Sequence, residues 1–506
     1  MKKYLYLTTM FLGFGVIQAQ EVRDGLRFAQ NDLSGTARFR AMSGAFGALG
    51  GDFSAINVNP AGSAVFTTSQ VGITASNYNL KNKSSYFGSN SDESENTFDL
   101  LSQVGAAFVF HTNNEKSNWS KFVLAINYET TRNLDNSEFS FGTNPNNSAS
   151  QYFVNRANTV NVPFAEFDNY YYDQFNLREQ MAYLGYHAYI INPRDITNPN
   201  TDYVSNVPAG ADGAPGNYYH ENSLVSTGYN GKLSFNASGQ YKDRFYFGVS
   251  LNTHFVDYQQ STSFYEDNNN SQTTGLRSFR YDKDLQTYGN GFSFQLGAIA
   301  KVTDAFRLGL AYESPTWYEL TDEMRQTVRS SGYNFGAPGF SSTATDSDFF
   351  IAYDPYRLHT PGKWTGSAAY VFGKSALISV DYAIKDYGNT RFRPNDDYFD
   401  AINGQFSDQL DLAGELRIGA EYRIKQFSLR GGFRNEQSPY KNGKTVGDLT
   451  GFSGGLGYNF GHTKLDLAYS YAERDSQQGF FDYGFKDGAT IKSVNNTVSL
   501  SLLFEL

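Results

Sequence analysis

Glu415, Arg417, Glu421 and Arg423 fall on alternate positions of one stretch, and Ser428, Arg430 and Arg434 alternate just beyond Lys425-Gln426. Period-two spacing puts such residues on one face of a strand pair. Charges of both signs withheld from water need partners, so these runs predict an ion-pair ladder on the inner wall of whatever the strands enclose. Its expected role is to hold that wall or to dock groups such as Arg40 and Asp52. The sharper alternative is recognition of a carboxylate by Arg417 or Arg430.

Other chemistry is thin. The six histidines are His111, His187, His220, His254, His359 and His462. No two have the spacing of helical metal ligands, and cysteine is absent, so neither a metal nor a cofactor is expected. No nucleophile, base and orienting group come together, and catalysis is not expected. Asp92-Glu93-Ser94-Glu95 and Asp346-Ser347-Asp348 read as solvated loop faces, with weak calcium binding as the alternative. Gly47 to Gly51 follows no strand and lies in no βαβ unit, so it is not a nucleotide loop. A net charge of −10 argues against nucleic acid as a partner.

The elements that position the charged runs repeat along the chain. Leu233, Phe235, Ala237 and Tyr241 share one face of a stretch that turns at Lys242-Asp243, and Phe245, Phe247, Val249 and Leu251 share the same face after it. The pattern recurs around Thr303-Asp304, Gly373-Lys374, Lys425-Gln426 and Gly461-His462, and the chain ends on Val498, Leu500, Leu502, Phe504 and Leu506. Mean hydropathy is −0.49, yet there are 37 tyrosines and 43 phenylalanines among 48 glycines. A polar chain with so many aromatics suits an apolar outside, a wet inside and aromatic girdles at two interfaces. Short turns alternate with long polar segments around Ser84–Asn96, Asn133–Glu221, Ser263–Asp284, Thr321–Pro361, Tyr387–Gln409, Gln437–Asp448 and Asp475–Ser493. A barrel lying between two compartments has that rhythm. The expected fold is therefore all-β: a transmembrane antiparallel β-barrel of about fourteen strands in a Gram-negative outer membrane, surrounded by outer-membrane lipid.

The first residues have another texture. Lys2 and Lys3, an apolar run from Tyr4 to Ile17 and then Gln18-Ala19-Gln20 predict a signal peptide over 1–19, cleaved after Ala19. The run is too short to span a bilayer as a helix. Residues 20–66 read as a hatch of short helices, and 67–506 as the barrel. Phe39, Met42, Phe46 and Leu49 have helical spacing, and with Phe53 they are the expected apolar lining of the hatch. Gly50-Gly51 would end that helix, Asp52 would cap a turn through Ile56, and Asn59-Pro60 would open another.

The run Ser43-Gly44-Ala45-Phe46-Gly47-Ala48-Leu49-Gly50-Gly51-Asp52, followed by Ser54-Ala55-Ile56-Asn57-Val58-Asn59-Pro60-Ala61-Gly62, resembles the hatch signature of the FadL/TodX outer-membrane transporters. The resemblance implies import of long-chain fatty acids or aromatic hydrocarbons through a plugged fourteen-stranded barrel. It also implies release sideways through a gap where one strand kinks, with Asn59, Pro60, Ala61 and Gly62 near that exit. The third strand, Lys121 to Asn133, holds neither Gly nor Pro to mark a kink. In the longest loop Leu177, Met181, Leu184 and Ala188 lie on one helical face. They either pack on their neighbours or offer a landing site for an apolar ligand, as loop helices do in the resembled family. The expected function is passive uptake of a hydrophobic small molecule. The alternative is a hatch-and-barrel scaffold subunit of a secretion or surface-assembly complex.

Overall fold

In the computed structural model, the described residues are 21–112, 116–209, 216–270, 275–334, 337–345, 350–395, 397–481 and 484–506. The expected signal peptide lies outside them. Alternating apolar and polar residues become strands because lipid and lumen select opposite faces of one ribbon. Phe245, Phe247, Val249 and Leu251 are all exposed on the outer face, while Tyr246, Ser250 and Asn252 are buried inside. For a soluble protein so many exposed large apolar side chains would be a liability. In lipid they are the solvated face.

The barrel strands are β1 (Gln70–Tyr86), β2 (Ser89–His111), β3 (Trp119–Asn133, then Asn136–Asn144), β4 (Tyr218–Tyr241), β5 (Phe245–Asn268), β6 (Gly275–Lys301) and β7 (Phe306–Glu313, then Trp317–Asn334). They continue as β8 (Ala337–Thr345, Ile351–Ala352, Tyr356–His359 and Lys363–Phe372), β9 (Ala376–Asp386, then Arg391–Arg393), β10 (Leu412–Ile424), β11 (Phe427–Glu436), β12 (Val446–Asn459), β13 (Thr463–Gly479) and β14 (Gly488–Glu505). Each pairs antiparallel with the next, and β1 pairs with β14 from Gln70↔Glu505 to Ser85↔Thr490, closing a fourteen-stranded barrel. Closure removes free strand edges from the lipid, where an unpaired backbone group would find no water, except where β2 and β3 part above Gln103 and Glu129.

Several segments expected as loops are strand. Where a long loop over Ser84–Asn96 was expected, β1 and β2 run on to a two-residue turn at Phe87-Gly88, with φ of 42° and 85°. Likewise β6 is 27 residues long, about 90 Å at 3.3 Å per residue, against an apolar band about 25 Å tall. Above that band water replaces lipid on the outer face of the ribbon, while the inner face packs on the cap. The apolar alternation therefore stops while the hydrogen-bonded ladder continues, and a sequence without an apolar outer face reads as loop.

The lumen is filled from both ends. The hatch comprises helix α1 (Val22–Ala29), helix α2 (Ala37–Ala41) and two 3-10 turns, Ser54–Asn57 and Pro60–Val65. Above it sits helix α6 (Asp397–Gln409), whose Phe399, Ile402 and Phe406 share an apolar core with Val22, Leu26 and Phe28 of α1 and with Tyr318, Leu320 and Leu358 of the wall. The end over the long loops is capped by the β3–β4 connection, with α3 (Ser150–Val160), α4 (Phe164–Asn169) and α5 (Leu177–His187) packed on Phe264, Phe279, Tyr281 and Phe485. No helix among the described residues is long and apolar enough to cross a membrane, which says nothing of crossing by strands.

Candidate functional site: the hatch, the lumen cavity and the seam beside it

The helix expected from Phe39 to Leu49 is only five residues long. Ser43 (φ 51°) and Gly44 (φ 77°) turn the chain out of helical register, and residues 42–49 form successive turns. Phe39, Met42, Phe46 and Leu49 nevertheless meet in one buried cluster with Leu33, Ala48, Ala369 and Leu377, because tight turns bring the same side chains together. Phe53 belongs to a separate cluster with Ile56, Phe66 and Val123. All five pack between hatch and wall and none lines the lumen cavity. Gly50 and Gly51 take the left-handed conformation expected of them (φ 63° and 68°). Asp52 Oδ1 accepts from the Ser54 N–H at 2.9 Å, and Asn59 caps Pro60–Val65 by accepting from the Ala61 N–H at 3.1 Å. Burial pushes the Asp52 carboxyl above its ordinary value against the pull of Arg38 and of the Thr36 hydroxyl.

Polar ties fix this hatch to the wall. Asp381 of β9 accepts the backbone N–H groups of Phe46 and Gly47, both at 2.9 Å. Asn59 donates to the Gly47 carbonyl at 2.7 Å and to the Ala298 carbonyl of β6 at 3.1 Å. Arg307 donates to the Leu49 carbonyl, Lys121 to the Phe66 carbonyl, and Ser63 meets Asn236 and Ser238 of β4. Pro60 lies against Gly248 and Gly297, where an added Cβ would sit 2.3 Å from the Pro60 carbonyl and 2.0 Å from Asn59 Oδ1. Asn59 to Gly62 therefore sit against β4–β6. They are not at the break in the wall described below.

The alternating charges pair with one another, and the hatch residue that joins them is Arg38. Glu421, its side chain fully buried, receives Arg38 at 3.0 Å, Arg430 at 2.7 Å and Arg423. Arg430 also reaches Asp466 of β13 at 2.5 Å. Burial alone would lower the Arg38 guanidinium, but Glu421 and Asp52 beside it hold it above its ordinary value. Glu415 pairs with Arg417, and Glu436 takes Arg434 and Arg474 at 3.0 and 3.1 Å. Every charge named in the sequence ladder thus has an opposite partner.

Arg40 differs. It is 1% exposed, its Nε and Nη1 have no hydrogen-bond partner among the described residues, and its guanidinium lies 5.2 Å from the Tyr78 ring centroid. It faces a lumen cavity of about 330 Å³ bounded by Leu26 and Arg27 of α1, Leu33, Tyr78, and Arg132 to Asn136 of β3. Sequence reasoning missed α1. Its signal was Val22, Leu26 and Ala29 at helical spacing, with Asp24 closing a capping box on Glu21.

The wall beside this cavity is incompletely paired. The β2–β3 ladder runs from His111↔Lys121 to Gln103↔Glu129 and stops there. Above it β2 pairs with β1 only, slipping past Leu100 to Ser102, while β3 pairs with β4 only. The third strand breaks at Leu134-Asp135, with neither Gly nor Pro. The cause is in its neighbour. Gly228 of β4, at φ 126°, accepts from the Leu134 N–H at 2.9 Å and donates to Asp135 Oδ1 at 2.9 Å. Side chains bridge the seam, Thr130 donating to Asp99 at 2.9 Å and Thr97 to Asp135 at 2.5 Å. From inside, the Asp32 N–H donates to the Thr131 carbonyl at 2.9 Å. On the lipid side Phe98, Leu100 and Leu101 are exposed.

In the cap, Met181 and Leu184 are 2% and 0% exposed within the loop core, and Leu177 is half-buried where that core meets the lumen core. Of the two readings of this helical face, the packing one matches where these side chains sit in the described conformation.

A closed fourteen-stranded barrel with an N-terminal hatch in its lumen defines a class of outer-membrane transport proteins. The profile of the outer membrane protein transport protein family (OMPP1/FadL/TodX) matches residues 198–481, and the chain belongs to that family. The crystal structure of the toluene transporter TodX from Pseudomonas putida is similar in fold, with a TM-score of 0.51 at 14% identity over 94% of this chain and 99% of that one. A Pseudomonas aeruginosa FadL homologue gives 0.50 at 13% identity, over 97% and 100%. At such identities the likeness speaks for the fold alone. Among curated proteins none matches.

Proposed function

We propose that this outer-membrane transporter takes up hydrophobic small molecules passively, fatty acids, aromatic hydrocarbons or similar compounds, and releases them sideways between β2 and β3. The observation that carries the reading is the coincidence of cavity and seam. Arg132 to Asn136 line the lumen cavity and also belong to the stretch of β3 beyond Glu129 whose backbone has no partner in β2. A molecule held there is separated from the bilayer by side-chain hydrogen bonds and the Asp32–Gly35 segment, where elsewhere it would meet a continuous ladder. The cavity is at the lower end of small-molecule sites, and burial of an alkyl chain supplies about 0.8 kcal/mol per CH₂. No energy source is required.

The chain has no cysteine, so Thr97→Cys with Asp135→Cys would place one disulfide across the seam. Uptake of radiolabelled toluene and oleate into vesicles carrying the protein should fall to the level of empty vesicles in the oxidised variant and return on reduction. Wild-type protein no better than empty vesicles would sink the transport reading. Full uptake by the oxidised variant would sink the lateral exit.

A further inference from the structure

On the outer wall of β7 to β9, just above the apolar belt, the ladder sets one guanidinium against another. Arg357 of β8 is directly opposite Arg393 of β9, and His359 is directly opposite Arg391. These side chains point outward, because Leu358 and Phe392 between them are fully buried in the lumen core. Like charges directly opposite in an antiparallel pair are destabilising. Among the described residues the carboxylate paired with this group is Glu319, 3.8 Å from Arg357, with the two side chains 65% and 70% exposed, and Arg393 donates to the neutral Asn395 side chain. Arg391 spends its hydrogen bonds on the Gly388 and Thr390 carbonyls and on Ser407, and none of these neutralises it.

The same wall shows what a self-sufficient arrangement looks like. Higher on β6 and β7, Arg325 pairs with Asp284 directly across the ladder at 2.7 Å, and Arg329, itself opposite Arg280, is neutralised by the diagonal Asp282 at 2.8 Å. The unmatched group lies lower. Trp317, opposite His359, stacks 6.3 Å from Phe292 and 6.3 Å from Phe294, and Trp364 lies 4.7 Å from Tyr312. That aromatic level marks the boundary between acyl chains and headgroups.

We propose that Arg357 and Arg393, flanked by His359 and Arg391, form a binding site on the barrel's exterior for the phosphate group of an outer-leaflet lipid. Guanidinium groups on two strands make a fork for phosphate oxygens. The girdle below them gives the acyl chains of the same molecule their place, and this favours a lipid over a free anion or an acidic protein. The site is separate from the transport path and does not depend on the transported substrate.

The test uses the full chain purified in a zwitterionic detergent, with bound lipid counted by native mass spectrometry. Probes are a bis-phosphorylated lipid A, the same lipid after phosphatase treatment, and inorganic phosphate. Wild type should retain the phosphorylated lipid and lose at least about tenfold in affinity on dephosphorylation. Arg357→Gln with Arg393→Gln should lose a similar factor, while Arg329→Gln should bind as wild type. Folding of each variant is checked by heat-modifiable gel mobility, and Arg357→Lys with Arg393→Lys should restore only part of the binding, since the charge returns without the fork. Equal retention by wild type and the Gln pair would overturn the site. Inorganic phosphate binding as tightly as the lipid would overturn its assignment to a lipid.

Discussion

Replacing Glu421 by Gln should loosen the hatch without opening the barrel. The carboxylate is fully buried among Arg38, Arg423 and Arg430, and of these Arg430 alone has a second carboxylate, Asp466. The variant leaves Arg38 in the lumen with the more distant Asp52 and Asp466 as counter-charges. Breaking a buried ion pair from one side costs about 3–5 kcal/mol. If that cost falls on hatch docking, opening of the hatch becomes roughly 10² to 4 × 10³ times more frequent, since about 1.4 kcal/mol is tenfold. The ladder of β10 and β11 does not pass through this side chain, so heat-modifiable mobility should be unchanged. Hydrogen exchange read by mass spectrometry on residues 36–49 should accelerate, above all at the Phe46 and Gly47 amides that now donate to Asp381. Arg38→Met combined with Glu421→Gln should cost less than the two single changes added together, because the double variant strands one fewer charge. Wild-type exchange rates in the hatch of the Glu421→Gln protein would refute the claim that this cluster docks it.

Three further outcomes follow from close contacts. Gly47→Ala would put its Cβ 2.0 Å from Ser367 Oγ, so it should lift the hatch from β8 and speed exchange over residues 42–49, with Ser367→Gly partly restoring protection. Asn59→Ala removes a helix cap and two bonds to carbonyl groups; at about 1 kcal/mol for the cap alone, exchange at residues 60–65 should rise at least about fivefold. Glu266 accepts from Ser148, from the Ala149 N–H and from His220 in the buried cap. Glu266→Ala should therefore expose the β3–β4 connection to limited proteolysis while the barrel stays intact.

Much of the architecture was legible because the bilayer imposes it. Period-two alternation from Leu233 to Leu251 forced a ribbon with one lipid-facing side, and the same pattern repeated to Leu506 forced closure. Gly50-Gly51 and Asn59-Pro60 announced their turns and cap by backbone chemistry that needs no tertiary partner. The helix from Phe39 to Leu49 was misjudged for a related reason. Helical spacing records which side chains share a surface, and successive turns broken at Ser43 and Gly44 can satisfy the same record. Strand ends above the belt read as loop because water in place of lipid removes the apolar outer face while the ladder persists.

The sequence by itself determined an outer-membrane barrel with a hatch and a charged inner wall, since each follows from local patterning against a known solvent. Only the tertiary structure decided which charges meet, with Arg38 rather than Arg40 taking Glu421. It also decided where the wall is weak. The break in β3 is written into Gly228 of the neighbouring strand, and it becomes visible only once the two are paired, because a hydrogen-bonded ladder lets a residue in one chain segment shape the backbone of another.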